Sequence, residues 1–363
     1  MKIALVGRFG EGKILSGPEK VAKNLFNEIS LTNKDTVFLS YFFKTEKTRN
    51  FKTLLFGFQK LSSDRRVYRL GLFRLILELY KIRPSIIHLV TFERFTIGVF
   101  LLKPLLKYKI VYTVHGIYKF EQTIFINKPT FISKLKDLTL ERLIFKKSDV
   151  LVFLSQKMIE LAKNYYEVNS SDSLIIPNGV LVHDNYESRN FNLNHRLEVL
   201  FYNGLENSRK RGLEDLLIIF SDKRLKNYHL TVIGNSISTS SDDISLIQPL
   251  PEKAIYEFLR DKHILIDNLG YMPFSIFAME AMALGMVILV SDQSGIASFI
   301  KNGINGFVYK ETQPEQITDI LVEILEAKHK LKELSREAYL TARDLSWNKI
   351  AAQYLQAYRE LLA

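Results

Sequence analysis

Short β-rich apolar runs alternate with helical patterns along this chain. IALV near the start is followed by KVAKNLFNEI, and TVFLSYF, SIIHLV, KIVYTV, DVLVFLS and SLIIP recur with stretches such as TLERLIFKK between them. Helix-length connections between strands are crossovers, and crossovers produce parallel pairing, so a parallel sheet covered by helices is expected. The pattern breaks once, at HDNYESRNFNLNHR, which has almost no periodic apolar residues and reads as a linker over 183–196. It restarts with EVLFYNG, LEDLLIIFSD, HLTVIGN, KAIYEFLRD, HILID, PFSIFAMEAMALG and MVILVSD. Residues 314–343 and 346–362 each read as a helix, the last with Trp347, Ile350, Ala351, Tyr354, Leu355 and Tyr358 at helical spacing.

At about 150 residues per domain, the 363 residues make two domains. The expected class is α/β, with two Rossmann-like doubly wound domains at 1–182 and 197–345 and a terminal helix at 346–363. Open parallel sheets bind ligands at the carboxyl ends of their strands, which predicts a site in a cleft between the two domains. The chain has no cysteine, which excludes disulfides, thiolate metal sites and cysteine nucleophiles and fits a cytoplasmic protein. No apolar run escapes lysine for the ~18 residues of a membrane span. The net charge of +11 is concentrated: Lys44 to Arg83 holds eleven basic residues and three acidic ones, mixed with Phe and Leu. That mixture suits a helix on anionic lipid at the inner face of a membrane, or a solvated basic face. No nucleic-acid module accompanies it, and no nucleic-acid partner is expected.

GRFGEGKI places Gly7 and Gly12-Lys13 at P-loop spacing, but Ile14 stands where a magnesium-binding hydroxyl is needed. Nor do Gly7, Gly10 and Gly12 spell the dinucleotide fingerprint. The helix begins instead near Ser16-Gly17-Pro18-Glu19, which has the form of a capping box with proline in the first turn. Further on, a helix from Pro273 to Leu284 surrounds Glu280 with Ile276, Phe277, Ala283 and Leu284. Such a carboxylate needs a specific partner, whether a ligand or a backbone cap. Arg209-Lys210-Arg211 precede a helix near Gly212, where cations oppose the helix dipole unless an anion such as a diphosphate sits among them; a solvated loop is the alternative. His115 follows a strand, and no histidine pair has metal-ligand spacing. Without an Asp-x-Asp pair or a nucleophile elbow, metal-free chemistry is expected.

Taken together, SGPEKVAKNLFNEI, VYTVHG, the run from ERLIFKK to LIIPNGV, VLFYNGLENSRKRGLEDLL, LTVIG, PFSIFAMEAMALGMVILVSDQSG, NGINGFVY and LSWNKIAAQYLQAYREL resemble, in order, the retaining glycosyltransferases of family four, which have the GT-B fold. The resemblance implies that Glu280 is the second glutamate of an E-x7-E motif and binds the ribose of a nucleotide sugar. It implies catalytic roles for His115, near the donor sugar, and for Lys210 and Arg211, on the donor diphosphate. Gly17, Gly204, Gly234, Tyr271, Met272, Pro273, Phe274, Ser275 and Ile276 would line the donor site. The implied substrate is a UDP- or GDP-type sugar, with no cofactor and no metal, and the implied acceptor is a glycan or lipid-linked hydroxyl. Three positions depart from the family: Met272 replaces the first glutamate, Leu205 an arginine and Ser298 a common glutamate. Tyr271, Ser275, Asp267 and Asn268 are candidates to hold the sugar hydroxyls in place of that first glutamate; a deoxy sugar would need no such group. A catalytically silent nucleotide-binding subunit and a nucleotide-sugar epimerase are the competing readings.

Overall fold

The computed structural model describes residues 1–10, 15–42, 51–62, 66–124, 130–182, 186, 191, 195–203, 212–234 and 243–363. The first half runs β1 (Ile3–Val6), α1 (Gly17–Thr32), β2 (Thr36–Tyr41), α2 (Phe51–Phe56), β3 (Phe58–Lys60), β4 (Val67–Leu70), α3 (Leu72–Ile82), β5 (Ile86–Leu89), α4 (Ile97–Leu106), β6 (Lys109–Val114), α5 (Tyr118–Ile124), α6 (Phe131–Lys147), β7 (Val150–Phe153), α7 (Gln156–Lys163) and β8 (Ser173–Ile175). The second continues with β9 (Leu197–Tyr202), α8 (Leu213–Ile219), β10 (Tyr228–Ile233), β11 (Ile244–Ile247), α9 (Glu252–Arg260), β12 (Ile264–Ile266), α10 (Ile276–Ala283), β13 (Val287–Ser291), β14 (Phe307–Tyr309), α11 (Gln316–Glu326), α12 (Leu331–Asp344) and α13 (Trp347–Leu362).

The strands form two sheets, ordered β3-β4-β2-β1-β5-β6-β7-β8 and β11-β10-β9-β12-β13-β14. All described pairs are parallel except β3 with β4. Central strands such as β1, β5 and β13 are buried along their whole length, as strands covered on both faces must be. Residues Met1–Glu121, Pro129–Gly179 and Trp347–Ala363 form one compact unit, and Gln122–Lys128 with Val180–Ser346 the other. After β8 the chain passes from the first unit to the second between Gly179 and Val180.

The terminal helix α13 belongs to the first unit and packs on α1. Its residues Trp347, Ile350, Ala351, Tyr354, Leu355 and Tyr358 are buried. A Cβ at Gly179 would overlap the Trp347 ring, so glycine there permits the close approach. Deeper in, His88 lies between Tyr358 Oη, 2.6 Å from Nδ1, and Thr113 Oγ1, 2.7 Å from Nε2, with Tyr354 Oη 2.9 Å from the same threonine.

Three local expectations are corrected. The helix expected from Pro273 starts at Ile276, because Ser275 is its N-cap and accepts from Ala278 N at 3.2 Å. Residues 314–343 form two helices separated by a 3-10 turn at Lys328–Lys330. The basic segment at 44–83, read as helical, contains β3 and β4 as well as α2 and α3. Among the described residues no helix is long and apolar enough to cross a membrane.

Candidate functional site

In the second unit, α10 follows β12 and starts beside the carboxyl end of that strand. It is buried along most of its length because it packs against α12 and β13. Glu280 is 5% exposed, and its Oε1 accepts from Tyr256 Oη on α9 at 2.9 Å. A specific partner of this carboxylate is thus a phenol from another helix, which offsets part of the cost of burying it beside Met279, Ala281 and Met282.

The turn leading into α10 is fastened from several sides. Ser275 Oγ donates to Asp267 Oδ1 at 2.9 Å, and both residues are buried. Asn268 Nδ2 donates to Tyr271 O at 3.3 Å, while Tyr309 Oη donates to Asn268 O at 3.1 Å. Met272 pairs with Ser294 in a parallel bridge, and its carbonyl accepts from Gly295 N at 2.9 Å. Pro273 is buried, Phe274 sets its ring edge against Phe299, and Tyr202 at the end of β9 stacks on Phe277 at 4.5 Å. The amides of Ile276 and Phe277, in the first turn of α10, have no acceptor among the described residues. They lie at the positive end of the helix dipole, where an anion would be favoured. Gly234, just past β10, is fixed by its amide to Ile247 O at 3.0 Å. Gly204, Leu205, Lys210 and Arg211 lie outside the described residues, as do Gly12, Lys13 and Ile14 of the first loop.

In the first unit, the strand ends carry a second polar group. Ser16 N and Oγ both donate to Glu19 Oε2, at 2.9 and 2.7 Å, which fixes the start of α1 at Gly17. Arg8 Nε lies 3.0 Å from Glu93 Oε1 and 3.2 Å from Tyr41 Oη, following the ends of β1, β5 and β2. Burial raises the Glu93 carboxyl above its usual range, and the Arg8 guanidinium opposes that rise. His115 follows β6 and its Nε2 lies 2.9 Å from Val90 O. A carbonyl can only accept, so Nε2 carries the proton and Nδ1 remains an acceptor. Nδ1 has no partner among the described residues. Desolvation lowers the imidazole to about 4, partly offset by the Val90 bond, so the ring is neutral at pH 7.

The loop after His115 is held by Glu141 of α6, which is 1% exposed and accepts from Tyr118 N at 2.6 Å, Lys119 N at 3.0 Å and Tyr166 Oη. Sequence reasoning missed Tyr256, Arg8, Tyr41, Glu93 and Glu141. Their partners are remote in sequence, and an apolar helix around Glu280 signalled that a partner was needed without saying which. Among the described residues no group of three or more His, Asp or Glu side chains converges as metal ligands would.

Two mainly parallel α/β units in tandem are the architecture of GT-B glycosyltransferases, and solved members share it over nearly the whole chain. Sucrose-phosphate synthase from Thermosynechococcus elongatus is similar with a TM-score of 0.76 and 14% identity, covering 100% of this chain and 99% of that one. HepE from Anabaena in complex with UDP and glucose gives 0.71 and 12%, covering 98% and 99%. Residues 187–341 match the family model of glycosyl transferases group 1, and residues 35–183 match that of Glycosyltransferase Family 4. The chain belongs to the family-four type of GT-B glycosyltransferases. Curated relatives include a D-inositol 3-phosphate glycosyltransferase of Thermobispora bispora, 24% identical over 122 residues, and spore coat protein SA of Bacillus subtilis, 25% identical over 146 residues. These matches span 34% and 39% of this chain and only 28% and 38% of the relatives' own lengths.

Proposed function

We propose that the protein moves a sugar from a UDP- or GDP-type donor to a hydroxyl of a glycan or lipid-linked acceptor, with retention of configuration, in bacterial surface polysaccharide synthesis. The observation that carries this reading is Glu280, a buried carboxylate oriented by Tyr256 on the helix whose N-cap Ser275 bonds Asp267 just past β12. Its position matches the ribose-binding glutamate implied by the family motif. That HepE was solved with UDP and glucose adds support for the donor class.

In the proposed reaction the bond from the anomeric carbon to the diphosphate oxygen breaks and a bond to the acceptor oxygen forms on the same face. The acceptor proton passes to the departing phosphate, so no metal or cofactor is required. Lys210, Arg211 and the first-turn amides of α10 would stabilise charge growing on the leaving group, each such donor contributing about 2.7–4 kcal/mol. His115 acts as a neutral acceptor through Nδ1 for a sugar hydroxyl, since its lowered pKa leaves the ring unprotonated at pH 7. Gly17 and Gly234 would let backbone approach the donor.

Glu280→Ala is expected to weaken UDP or GDP binding strongly while leaving thermal unfolding intact; unchanged affinity in calorimetry removes Glu280 from the ribose role. Thermal-shift measurements with UDP, GDP and TDP sugars identify the donor. Met272 favours a second reading, a catalytically silent subunit of a polysaccharide assembly complex that retains nucleotide binding. Stoichiometric nucleotide binding with no release of UDP or GDP in the presence of acceptor would establish that reading instead.

A further inference from the structure

The first unit presents an apolar face on two adjacent helices. Gly98 of α4 lies against Leu72, Leu75 and Ile76 of α3, close enough that a Cβ there would sit 3.1–3.6 Å from their side chains. On α3, Leu75 and Leu79 enter the core, while Phe73, Leu77 and Tyr80 are 47–51% exposed. On α4, Ile97, Leu101 and Leu105 recur at every fourth residue and are 44–66% exposed. At about 100° per residue, each outward stripe lies roughly a quarter-turn or less from the Leu72–Ile76–Gly98 seam. The two stripes therefore run side by side as one surface.

Large apolar residues scattered singly over a surface need no explanation, whereas six on two adjacent helices form a patch of the kind that marks an interaction site. The charge around it selects the partner. From Arg66 to Lys107, eight Lys and Arg stand against two acids, and three of the eight, Arg66, Arg94 and Lys103, pair with Asp35, Asp137 and Asp149 outside the stretch, which leaves a smaller positive excess. One of the two acids, Glu78, is already engaged by Arg74 at 3.0 Å and Lys81 at 3.4 Å. A second copy of this chain would bring the same positive excess against itself. An anionic lipid surface offers phosphates to the cations and an acyl boundary to the apolar stripes.

We propose that the α3–α4 face docks the protein onto an anionic phospholipid bilayer. This deepens the proposed function and rests on its reading of the acceptor as lipid-linked, but vesicle binding tests it without turnover. The intact chain is sedimented with vesicles of phosphatidylcholine mixed with phosphatidylglycerol, and with vesicles of phosphatidylcholine alone. Binding to the mixed vesicles is expected, weakening as salt is added, and falling about tenfold or more in the Leu101→Asp/Leu105→Asp variant. Leu77→Asp on α3 is expected to show the same direction. Ile218→Asp on α8, where the residue is 70% exposed, is the control and leaves binding unchanged. UDP or GDP affinity should be equal in all variants, which separates a failure of docking from a failure of the donor reading. Equal vesicle binding by wild type and variants overturns the proposal, as does absence of wild-type binding to the mixed vesicles. So do dimers in sedimentation velocity that persist in salt and vanish in the Leu101→Asp/Leu105→Asp variant, since the face would then belong to a second copy.

Discussion

Glu280 and Tyr256 are 24 residues apart on different helices, and the phenol donates to a carboxylate that has almost no access to water. Hydrogen bonds to charged groups contribute about 1.5–3 kcal/mol. Tyr256→Phe is expected to lower UDP or GDP affinity by roughly tenfold, the lower end of that range, and by less than Glu280→Ala does, because it removes one bond that orients the carboxylate and leaves the carboxylate in place. Calorimetry on the two variants checks the order. Met272 offers a test of the opposite sign. Its backbone is already fastened to Gly295 and paired with Ser294, so an acidic side chain of similar length changes little except what it presents to the sugar. Met272→Glu is expected to increase turnover of a hydroxyl-bearing donor sugar by roughly ten- to hundredfold, measured as UDP or GDP release. Both residues were legible from sequence as positions in a motif; the Tyr256 contact was not.

At the level of elements, glycines mark where backbones must meet or turn. Gly212 precedes α8 with φ +78, and a Cβ there would overlap the Leu269 side chain. Gly212→Ala thus combines left-handed strain with a steric conflict and is expected to cost about 1–3 kcal/mol, read as a lower urea midpoint. The strand and helix alternation was readable because apolar periodicity is local. The short strands β3, β4, β11 and β14 were not, since three or four residues carry too little pattern to separate a strand from a loop. The start of α10 was misplaced for a related reason: Pro273 suits a first turn, but Ser275 caps the helix through a hydrogen bond that only the folded turn forms.

At the scale of the whole molecule, a buried His88 network ties α13 to the first sheet. Desolvation, with a smaller contribution from His115, lowers His88 from its ordinary value of 6.5 to about 3. The folded state holds the ring neutral, whereas the unfolded chain protonates it below 6.5. Stability linked to His88 is therefore complete above that pH and is lost as pH falls toward 3, by up to about 1.4 kcal/mol per pH unit. Urea melts across this range should show that slope, and His88→Gln should flatten it. Tyr358→Phe removes a buried partner and is expected to cost about 1–3 kcal/mol at neutral pH without altering nucleotide affinity.

Local order in the chain determined the class of fold, the number of strand-and-helix series and the positions of His115, Gly17 and Glu280 along them, because periodicity and capping act over a few residues. Only tertiary structure decided that Glu280 faces Tyr256, that Arg8 joins Tyr41 and Glu93, and that Tyr358 closes on His88 across 270 residues of chain. These pairs exist because burial leaves each polar group a small choice of partners, and that choice is made by which elements pack together.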